Sequence, residues 1–331
     1  MKNEILRRLS ALALGLALLL NAAPLPQAFA VEDDTDASSS DSADSTDTTD
    51  KTVVTTADSD PTVTAAAANA PALDATAALL VSPESDMVLY EKNADEKRYP
   101  ASTTKIMTAL LTLENVSDLS AVVTAEASDF ENVTADSSNA GIKLGEQVTV
   151  KDLLYALMLP SANEAAYMLA RHVSGSWEQF VDMMNERAAE LGCTGTHFCN
   201  PCGLHEDDHY TTAHDLYRIA KQAMKDATFR DIVSTVQHRM AKTNLHEERI
   251  ILTTNQLIFS SFQPWSYANC LGIKTGHTSQ AGNCFVGYAE YGDAKLFSVV
   301  LGCSSSSKEY PTIAASFTDT KSLCQWGFKN F

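Results

Sequence analysis

The sequence predicts a single α+β domain in which strands from both ends of the folded part meet in one antiparallel sheet. Strand-like segments occur from residue 77 and again from residue 270, and helical segments lie between them. The chain has 331 residues and is 45% hydrophobic, which is normal for a globular protein and leaves room for a sizeable core. No internal repeat divides it.

The first 30 residues are expected to lie outside this domain. Lys2, Arg7 and Arg8 precede the apolar run "LSALALGLALLL", and "AFA" ends at Ala30. This pattern is typical of a secretory signal cleaved after Ala30. An uncleaved membrane anchor is the alternative, although the run is shorter than the ~20 residues that a span needs.

Residues 31–70 consist almost wholly of Asp, Ser, Thr and Ala, and we expect a disordered acidic linker there. Residues 31–60 carry a net charge of −9, which is half of the chain's −18. Such an acidic protein is a poor candidate for binding nucleic acid, which requires basic surface.

The folded part begins with a predicted hairpin over 77–93, where "AALLV" and "MVLYEKN" flank the turn "SPESD". A core helix follows from Ser102, because its apolar residues cover more than half of its circumference. Further helices are predicted in "VKDLLYALMLP", which ends at Pro160, and in "SANEAAYMLARHV".

Two more helices complete the middle of the chain. Gly192 ends "SWEQFVDMMNERAAELG", and either Thr211 or Thr212 caps "TTAHDLYRIAKQAMKD". The final segments are three predicted strands and a closing helix: "CLGIKTGHT", "NCFVGYAEY", "KLFSVVLGC" and "TIAASFTDTKSLCQWGF".

Ser102 and Lys105 form the first of three short motifs that point to chemistry. Residues three apart share a helix face, so the amine of Lys105 can reach the hydroxyl of Ser102. Burial lowers the pKa of a lysine, and a neutral amine can remove the serine proton. Alone, the pair is equally consistent with a serine that caps a helix.

The second motif is Ser161 and Asn163 in "LPSANEAA", and the third is Lys274, Thr275 and Gly276 in "GIKTGHT". Ser161 could simply cap the next helix, or it could relay a proton beside Asn163 in a cleft. A glycine in a strand lets a ligand approach the backbone. The three motifs in this order are the set found in penicillin-binding proteins and class A β-lactamases.

From about residue 75 onward the chain resembles the low-molecular-mass penicillin-binding proteins that are D-alanyl-D-alanine carboxypeptidases. The resemblance extends to "VLYEKNADEKRYPASTTKIMT", "ELGCTGTHFCNPCGL", "HYTTAHDL" and "GIKTGHTSQAGNCFVGYA". It implies the serine β-lactamase/DD-peptidase fold over 71–331, with about five antiparallel strands, flanking helices and a helical subdomain.

The resemblance also implies an exported or wall-associated enzyme that is a monomer without cofactor or metal. Its substrate would be a peptidoglycan stem peptide ending in D-Ala-D-Ala, and β-lactams would acylate and inhibit it. Many relatives continue into a β-rich domain and an amphipathic membrane anchor. We expect neither here.

The same resemblance assigns the catalytic roles. Ser102 would be the nucleophile and Lys105 its general base. Ser161, hydrogen-bonded to the lysines, would pass the proton to the leaving D-Ala, and Asn163 would contact a substrate amide.

The substrate-binding roles fall on the third motif. Lys274 and Thr275 would meet the terminal carboxylate, and Gly276 would let the substrate lie close to the strand. The backbone N–H groups of Ser102 and His277 would form the oxyanion hole.

Two alternatives share these motifs. A β-lactamase would need a glutamate that activates the deacylating water, but Glu206 is the only glutamate between 193 and 210. A non-catalytic protein that binds penicillin or wall peptides is the other alternative. This alternative is supported by the segment "NPCGL", where Cys202 replaces a histidine that is frequent in the family. If that histidine orders the deacylating water, its replacement is expected to slow deacylation.

The seven cysteines are an odd number for an exported chain, so at least one thiol should be free or paired between chains. Cys193, Cys199 and Cys202 are expected to be small buried thiols. A disulfide within this cluster, or a zinc site completed by His197 and His205, remains an alternative.

Overall fold

The computed structural model describes residues 52–54, 69–134, 137–259 and 263–331. Its centre is an antiparallel sheet of six strands: β1 Thr52–Val54, β2 Ala77–Ser82, β3 Met87–Lys92, β8 Cys270–Thr278, β9 Gly282–Tyr291 and β10 Ala294–Cys303. They lie in the order β1-β3-β2-β10-β9-β8. The five longer strands confirm the predicted α+β sheet, and strands from both ends of the domain meet where β2 pairs with β10.

Strand β1 lies inside the segment predicted to be a disordered linker. It pairs with β3, with Val53 opposite Glu91. The prediction is therefore wrong for Thr52–Val54, where consecutive β-branched residues favour a strand although the surrounding composition does not. The predicted signal segment and the rest of the 31–68 range lie outside the described residues.

Helices cover both faces of the sheet. Their bounds are α1 Lys105–Asn115, α2 Val150–Met158, α3 Asn163–Ser174, α4 Trp177–Glu190, α5 Ala213–Ala223, α6 Ala227–Val233, α7 Gln256–Phe259 and α8 Ala315–Asn330. Successive strand residues point to opposite faces, so Leu79 joins the core shared with α1–α6 while Leu80 joins the smaller core beneath α8.

Local capping explains where the predicted helices begin and end. Thr212, rather than Thr211, caps α5, because its hydroxyl accepts the backbone N–H of Asp215. Gly175 and Gly192, which follow α3 and α4, have positive φ angles of 90° and 74°. The closing helix α8 begins at Ala315, so the preceding turn is not helical.

Two small two-stranded sheets were not predicted. Strands β4 Val122–Thr124 and β5 Gln147–Thr149 form one, and β6 Gln237–Met240 and β7 Arg249–Leu252 form the other. They belong to the helical half of the domain, where α2 follows β5 directly.

Candidate active site

The three motifs meet at a cleft of about 640 Å³ between the helices and strand β8. Predicted site residues that line the cleft are Ser102, Ser161, Asn163, Thr275, Gly276 and His277. Lys105 and Lys274 are 0% and 1% exposed, so both amines approach the cleft from inside the protein. All eight predicted residues are therefore brought to one place.

Ser102 lies in a 3-10 turn, Ala101–Thr104, that runs directly into α1. Lys105 Nζ donates to Ser102 Oγ at 3.1 Å, to Asn163 Oδ1 at 2.7 Å and to the Cys202 carbonyl at 2.7 Å. Three acceptors match the three protons of an ammonium group. The lysine is thus fixed in position and is not a side chain that reaches for solvent.

Burial lowers the pKa of Lys105 from 10.5 to about 8, although the nearby Cys202 and Glu164 act in the opposite direction. With that pKa, about one molecule in ten carries the neutral amine at pH 7. This pKa makes Lys105 suitable as a general base for the Ser102 hydroxyl.

Ser161 and Asn163 occupy the sharp connection between α2 and α3. Ser161 has a φ of 66°, a left-handed conformation that is unusual for a serine. The backbone N–H of Asn163 donates to the Ser138 carbonyl at 2.9 Å. The side chain of Asn163 is the one that contacts Lys105, so the second motif is linked directly to the first.

The expected hydrogen bond between Ser161 and the lysines is not observed. Ser161 Oγ is buried without a hydrogen-bond partner among the described residues. The three protons of Lys105 are already occupied, and Lys274 Nζ instead donates to the carbonyl and the hydroxyl of Thr275 at 3.1 and 3.4 Å. Ser161 therefore keeps its hydrogen-bonding capacity for another group.

Strand β8 is the last strand of the sheet, and its residues 273–278 pair in regular register with β9, where Gly276 lies opposite Cys284. An added Cβ at Gly276 would lie 2.9 Å from the Pro100 carbonyl and 3.1 Å from Ser102 N. A glycine is thus needed here for the strand to contact the nucleophile's turn.

The far end of the cleft presents a group that sequence reasoning left unassigned. Thr254 lines the cleft, and its hydroxyl lies 2.6 Å from the hydroxyl of Thr275. Arg249, which precedes Thr254 in the chain, pairs with Glu146 and donates to the carbonyls of Ala140 and Gly141. Arg249 therefore has a structural role in the helical half.

Lys274 has an unusual electrostatic environment. Burial and repulsion from Lys105 lower the pKa of Lys274 well below its ordinary value. An anion bound in the cleft would stabilise its ammonium form.

The 199–209 loop holds the other side of the Ser102 turn. Asn200 Oδ1 accepts the backbone N–H groups of Cys202, Gly203 and Leu204 at 3.2, 2.7 and 3.2 Å. Thr108 Oγ1 donates to the Pro201 carbonyl at 2.6 Å. These bonds place the Cys202 carbonyl where it receives Lys105, a contact that no motif signalled because a backbone atom makes it.

The side chain of Cys202 does not face the cleft. It is 1% exposed, and its Sγ lies 3.4 Å from Asn200 Oδ1 and 4.0 Å from the hydroxyl of Tyr167. Burial raises the pKa of this thiol, which keeps it neutral. The expectation that a side chain at this position orders deacylating water therefore does not fit the geometry.

All seven cysteines are free thiols, and six of them are buried; Cys199 is only half-buried, so the expectation of a buried thiol is wrong at this position. Within the described ranges, no three His, Cys, Asp or Glu side chains are grouped closely enough to hold a metal ion. The Cys193, Cys199 and Cys202 segment thus contains thiols rather than a disulfide.

Residues 64–305 match the family model described as D-alanyl-D-alanine carboxypeptidase. The chain is 34% identical to D-alanyl-D-alanine carboxypeptidase DacF of Bacillus subtilis over 70% of this chain, and it spans 58% of that protein's length. It is 36% identical to D-alanyl-D-alanine carboxypeptidase of Streptomyces sp. strain K15, over 72% of this chain and 82% of the relative.

Comparison with solved structures finds the same family of enzymes. The crystal structure of the Streptomyces K15 DD-transpeptidase superposes with a TM-score of 0.71 at 33% identity. The match covers 79% of this chain and 99% of that one.

Proposed function

The chain belongs to the D-alanyl-D-alanine carboxypeptidase family, and on this premise we propose that it removes the terminal D-Ala from peptidoglycan stem peptides through an acyl-enzyme on Ser102. The observation that carries the proposal is the 3.1 Å contact between Ser102 Oγ and the fully buried Lys105, whose pKa is about 8. A hydroxyl beside a neutral amine is the arrangement that covalent catalysis requires.

Acylation would begin when neutral Lys105 takes the Ser102 proton. Ser102 Oγ then attacks the carbonyl carbon of the penultimate D-Ala, and the N–H groups of Ser102 and His277 stabilise the oxyanion. As the C–N bond breaks, Ser161 gives its hydroxyl proton to the departing amine and takes up the proton held by Lys105, so D-Ala leaves and Lys105 is neutral again. The Ser161 hydroxyl supports this relay, because it has no hydrogen-bond partner among the described residues and Ser161 lines the same cleft as Ser102.

Deacylation would use the same base, with a water molecule as the nucleophile. A water molecule replaces D-Ala, Lys105 accepts its proton, and the hydroxide attacks the ester carbon. The bond to Ser102 Oγ breaks, and the serine regains its proton from Lys105. The neutral amine is thus restored for the next cycle.

Substrate binding would use both walls of the cleft. Asn163 Nδ2 would donate to a substrate carbonyl, and Lys274 with Thr275 would bind the terminal carboxylate. The hydroxyl of Thr254 lies 2.6 Å from that of Thr275, which makes it a further donor for the carboxylate. Gly276 would let the substrate backbone run alongside β8.

β-Lactams would acylate the same serine, and the geometry favours a stable, inhibited acyl-enzyme over hydrolysis of the β-lactam. Glu206, the only glutamate between 193 and 210, accepts from Asn200 Nδ2 at 2.9 Å and lines a neighbouring cavity. It does not line the Ser102 cleft. A class A β-lactamase needs a glutamate at the deacylating water.

A second candidate is transfer of the acyl group to an amine, because the superposed structure is that of a DD-transpeptidase. The two reactions share the acyl-enzyme and differ in the acceptor. An added amine such as glycine would then yield a new amide alongside the hydrolysed peptide.

We also propose export through a signal at 1–30, an acidic linker over 31–70 apart from the Thr52–Val54 strand, and a monomeric catalytic domain over 71–331. The Lys/Arg start and the apolar run support export. In the described part of the chain, no helix combines the length and hydrophobicity needed to cross a membrane.

The direct test incubates the purified chain with diacetyl-Lys-D-Ala-D-Ala and, separately, with a fluorescent penicillin. We expect D-Ala release and a stable penicillin label, both lost in Ser102→Ala. Stable labelling without D-Ala release would indicate a binding protein instead, and rapid penicillin hydrolysis would indicate a β-lactamase.

A further inference from the structure

The peptide bond between Ala101 and Ser102 is held in an unusual orientation. Ala101 has a φ of 47°, in the left-handed region that an alanine rarely adopts. Such a conformation persists only where the surroundings impose it, and it is common beside catalytic residues. The groups that impose it are found on the carbonyl side of this peptide.

Thr104 and Gly203 contact the Ala101 carbonyl. Thr104 Oγ1 donates to Ala101 O at 2.9 Å. A Cβ at Gly203 would lie 1.9 Å from the same oxygen, so only a glycine leaves room for it. Gly203 in turn donates its N–H to Asn200, within the loop that also holds Lys105.

His209 determines the direction of the Thr104 hydrogen bond. His209 Nδ1 accepts the backbone N–H of Cys199 at 3.1 Å, so the proton of the neutral ring is on Nε2. Nε2 lies 2.8 Å from Thr104 Oγ1 and donates to it, which leaves the hydroxyl proton for Ala101 O. Burial lowers the pKa of His209 to about 3, and the ring therefore stays neutral at physiological pH.

The opposite side of the same peptide faces strand β8. A trans peptide directs its C=O and its N–H in opposite directions. An added Cβ at Gly276 would lie 3.1 Å from Ser102 N, so the nitrogen is beside the strand while the Ala101 oxygen is beside Thr104. Whatever fixes the oxygen therefore also aims the N–H of Ser102.

We propose that His209 and Thr104 are positioning residues, which anchor the Ala101 carbonyl and thereby aim the Ser102 N–H at the oxyanion of the transition state. The inference rests on the proposed function, because it concerns the oxyanion hole of that site. The hydrogen-bond chain runs from the Cys199 N–H through His209 and Thr104 to Ala101 O. Neither side chain touches substrate.

The test is Thr104→Val in the full chain, which keeps the shape of the side chain and removes the hydroxyl. We expect kcat for the D-Ala-D-Ala peptide and the penicillin acylation rate to fall about 100-fold, the typical effect of an oxyanion donor. KM should change less than about threefold, because the contact acts in the transition state. Labelling should still reach full stoichiometry. Thr104→Ser should restore most of the rate, and His209→Phe should lower it by about tenfold.

Thr112→Val is the matched control, because Thr112 Oγ1 makes a similar buried bond to the Thr108 carbonyl within the following helix α1. It should leave both rates unchanged. Acylation of Thr104→Val at the wild-type rate would overturn this inference but would leave the proposed function standing. So would partial labelling at a normal rate, which indicates misfolding, or a Thr104→Ser variant as slow as Thr104→Val. A wild-type chain that neither releases D-Ala nor binds penicillin would overturn the proposed function as well.

Discussion

The two walls of the cleft are built in different ways. The strand wall, residues 274–278 of β8, is held by regular backbone pairing with β9. The helical wall, residues 101–105, 161–163 and 199–209, is held by buried side chains that bond to backbone groups of irregular segments. Both walls meet where Gly276 contacts the turn of Ser102.

The two walls therefore hold their catalytic groups in position by different kinds of interaction. A paired strand is positioned by many equivalent bonds, so the strand wall should tolerate most side-chain changes that keep its backbone close. The helical wall depends on single groups, such as Asn200, which accepts three N–H groups with one oxygen. Substitutions that remove one buried group should therefore have larger effects on the helical wall.

Lys105→Arg should give the largest effect, because an arginine cannot act as a neutral base. We expect the acylation rate by fluorescent penicillin to fall by about 1000-fold, within the range for loss of a general base. Lys151→Arg on the exposed side of α2 is the control and should acylate normally. Near-normal labelling of Lys105→Arg would remove Lys105 from its role.

Gly276→Ala tests the strand wall at its most sensitive point. The new Cβ would lie 2.9 Å from the Pro100 carbonyl, so the strand must move away from the turn of Ser102. A shift of this kind can cost about 100-fold in rate. Stopped-flow acylation measures it, and the thermal unfolding midpoint serves as a check on folding. An unchanged rate would show that the two walls do not need this contact.

Asn200→Ala removes the oxygen that organises the 200–204 segment. We expect a loss of about 1–3 kcal/mol in the free energy of unfolding, because buried N–H groups lose their acceptor. Activity should fall about tenfold through the displaced Cys202 carbonyl. Urea unfolding and D-Ala release measure the two effects. Wild-type stability and activity in Asn200→Ala would contradict the dependence of this wall on single groups.

Cys202→Ser should have the smallest effect, since the backbone carbonyl that holds Lys105 remains. We expect acylation and deacylation rates within about threefold of the wild type, because the side chain is buried away from the cleft. The fraction of acyl-enzyme at steady state, read by mass spectrometry, reports both rates. A large rise in that fraction would restore the idea that residue 202 acts in deacylation.

The sequence predicted the regular parts of the molecule well. The strand "CLGIKTGHT" matches β8 from Cys270 to Thr278, because its composition favours a strand and its partner β9 follows it directly in the chain. The pair of Ser102 and Lys105 was predicted because helical spacing puts both on one face. The three motifs were assigned to one active site because their order is the one found in the family that the chain resembles.

The irregular contacts could not be predicted in the same way. The Cys202 carbonyl is 97 positions from Lys105 in the chain, and any residue type supplies a carbonyl. His209 and Thr104 are 105 positions apart and match no catalytic spacing. The expected hydrogen bond of Ser161 was wrong because the sequence does not show that Asn163 and the Cys202 carbonyl already satisfy Lys105.

The pH dependence of penicillin acylation tests the central claim, that Ser102 is activated by a neutral Lys105, most directly. The pKa of Lys105 is lowered from 10.5 to about 8, so the reactive free base grows as the pH rises towards 8. We predict a rate that rises about tenfold per pH unit below pH 7 and levels off above about pH 8. A rate that is flat between pH 6 and 9, or that falls as the pH rises, would contradict the assignment of Lys105 as the base.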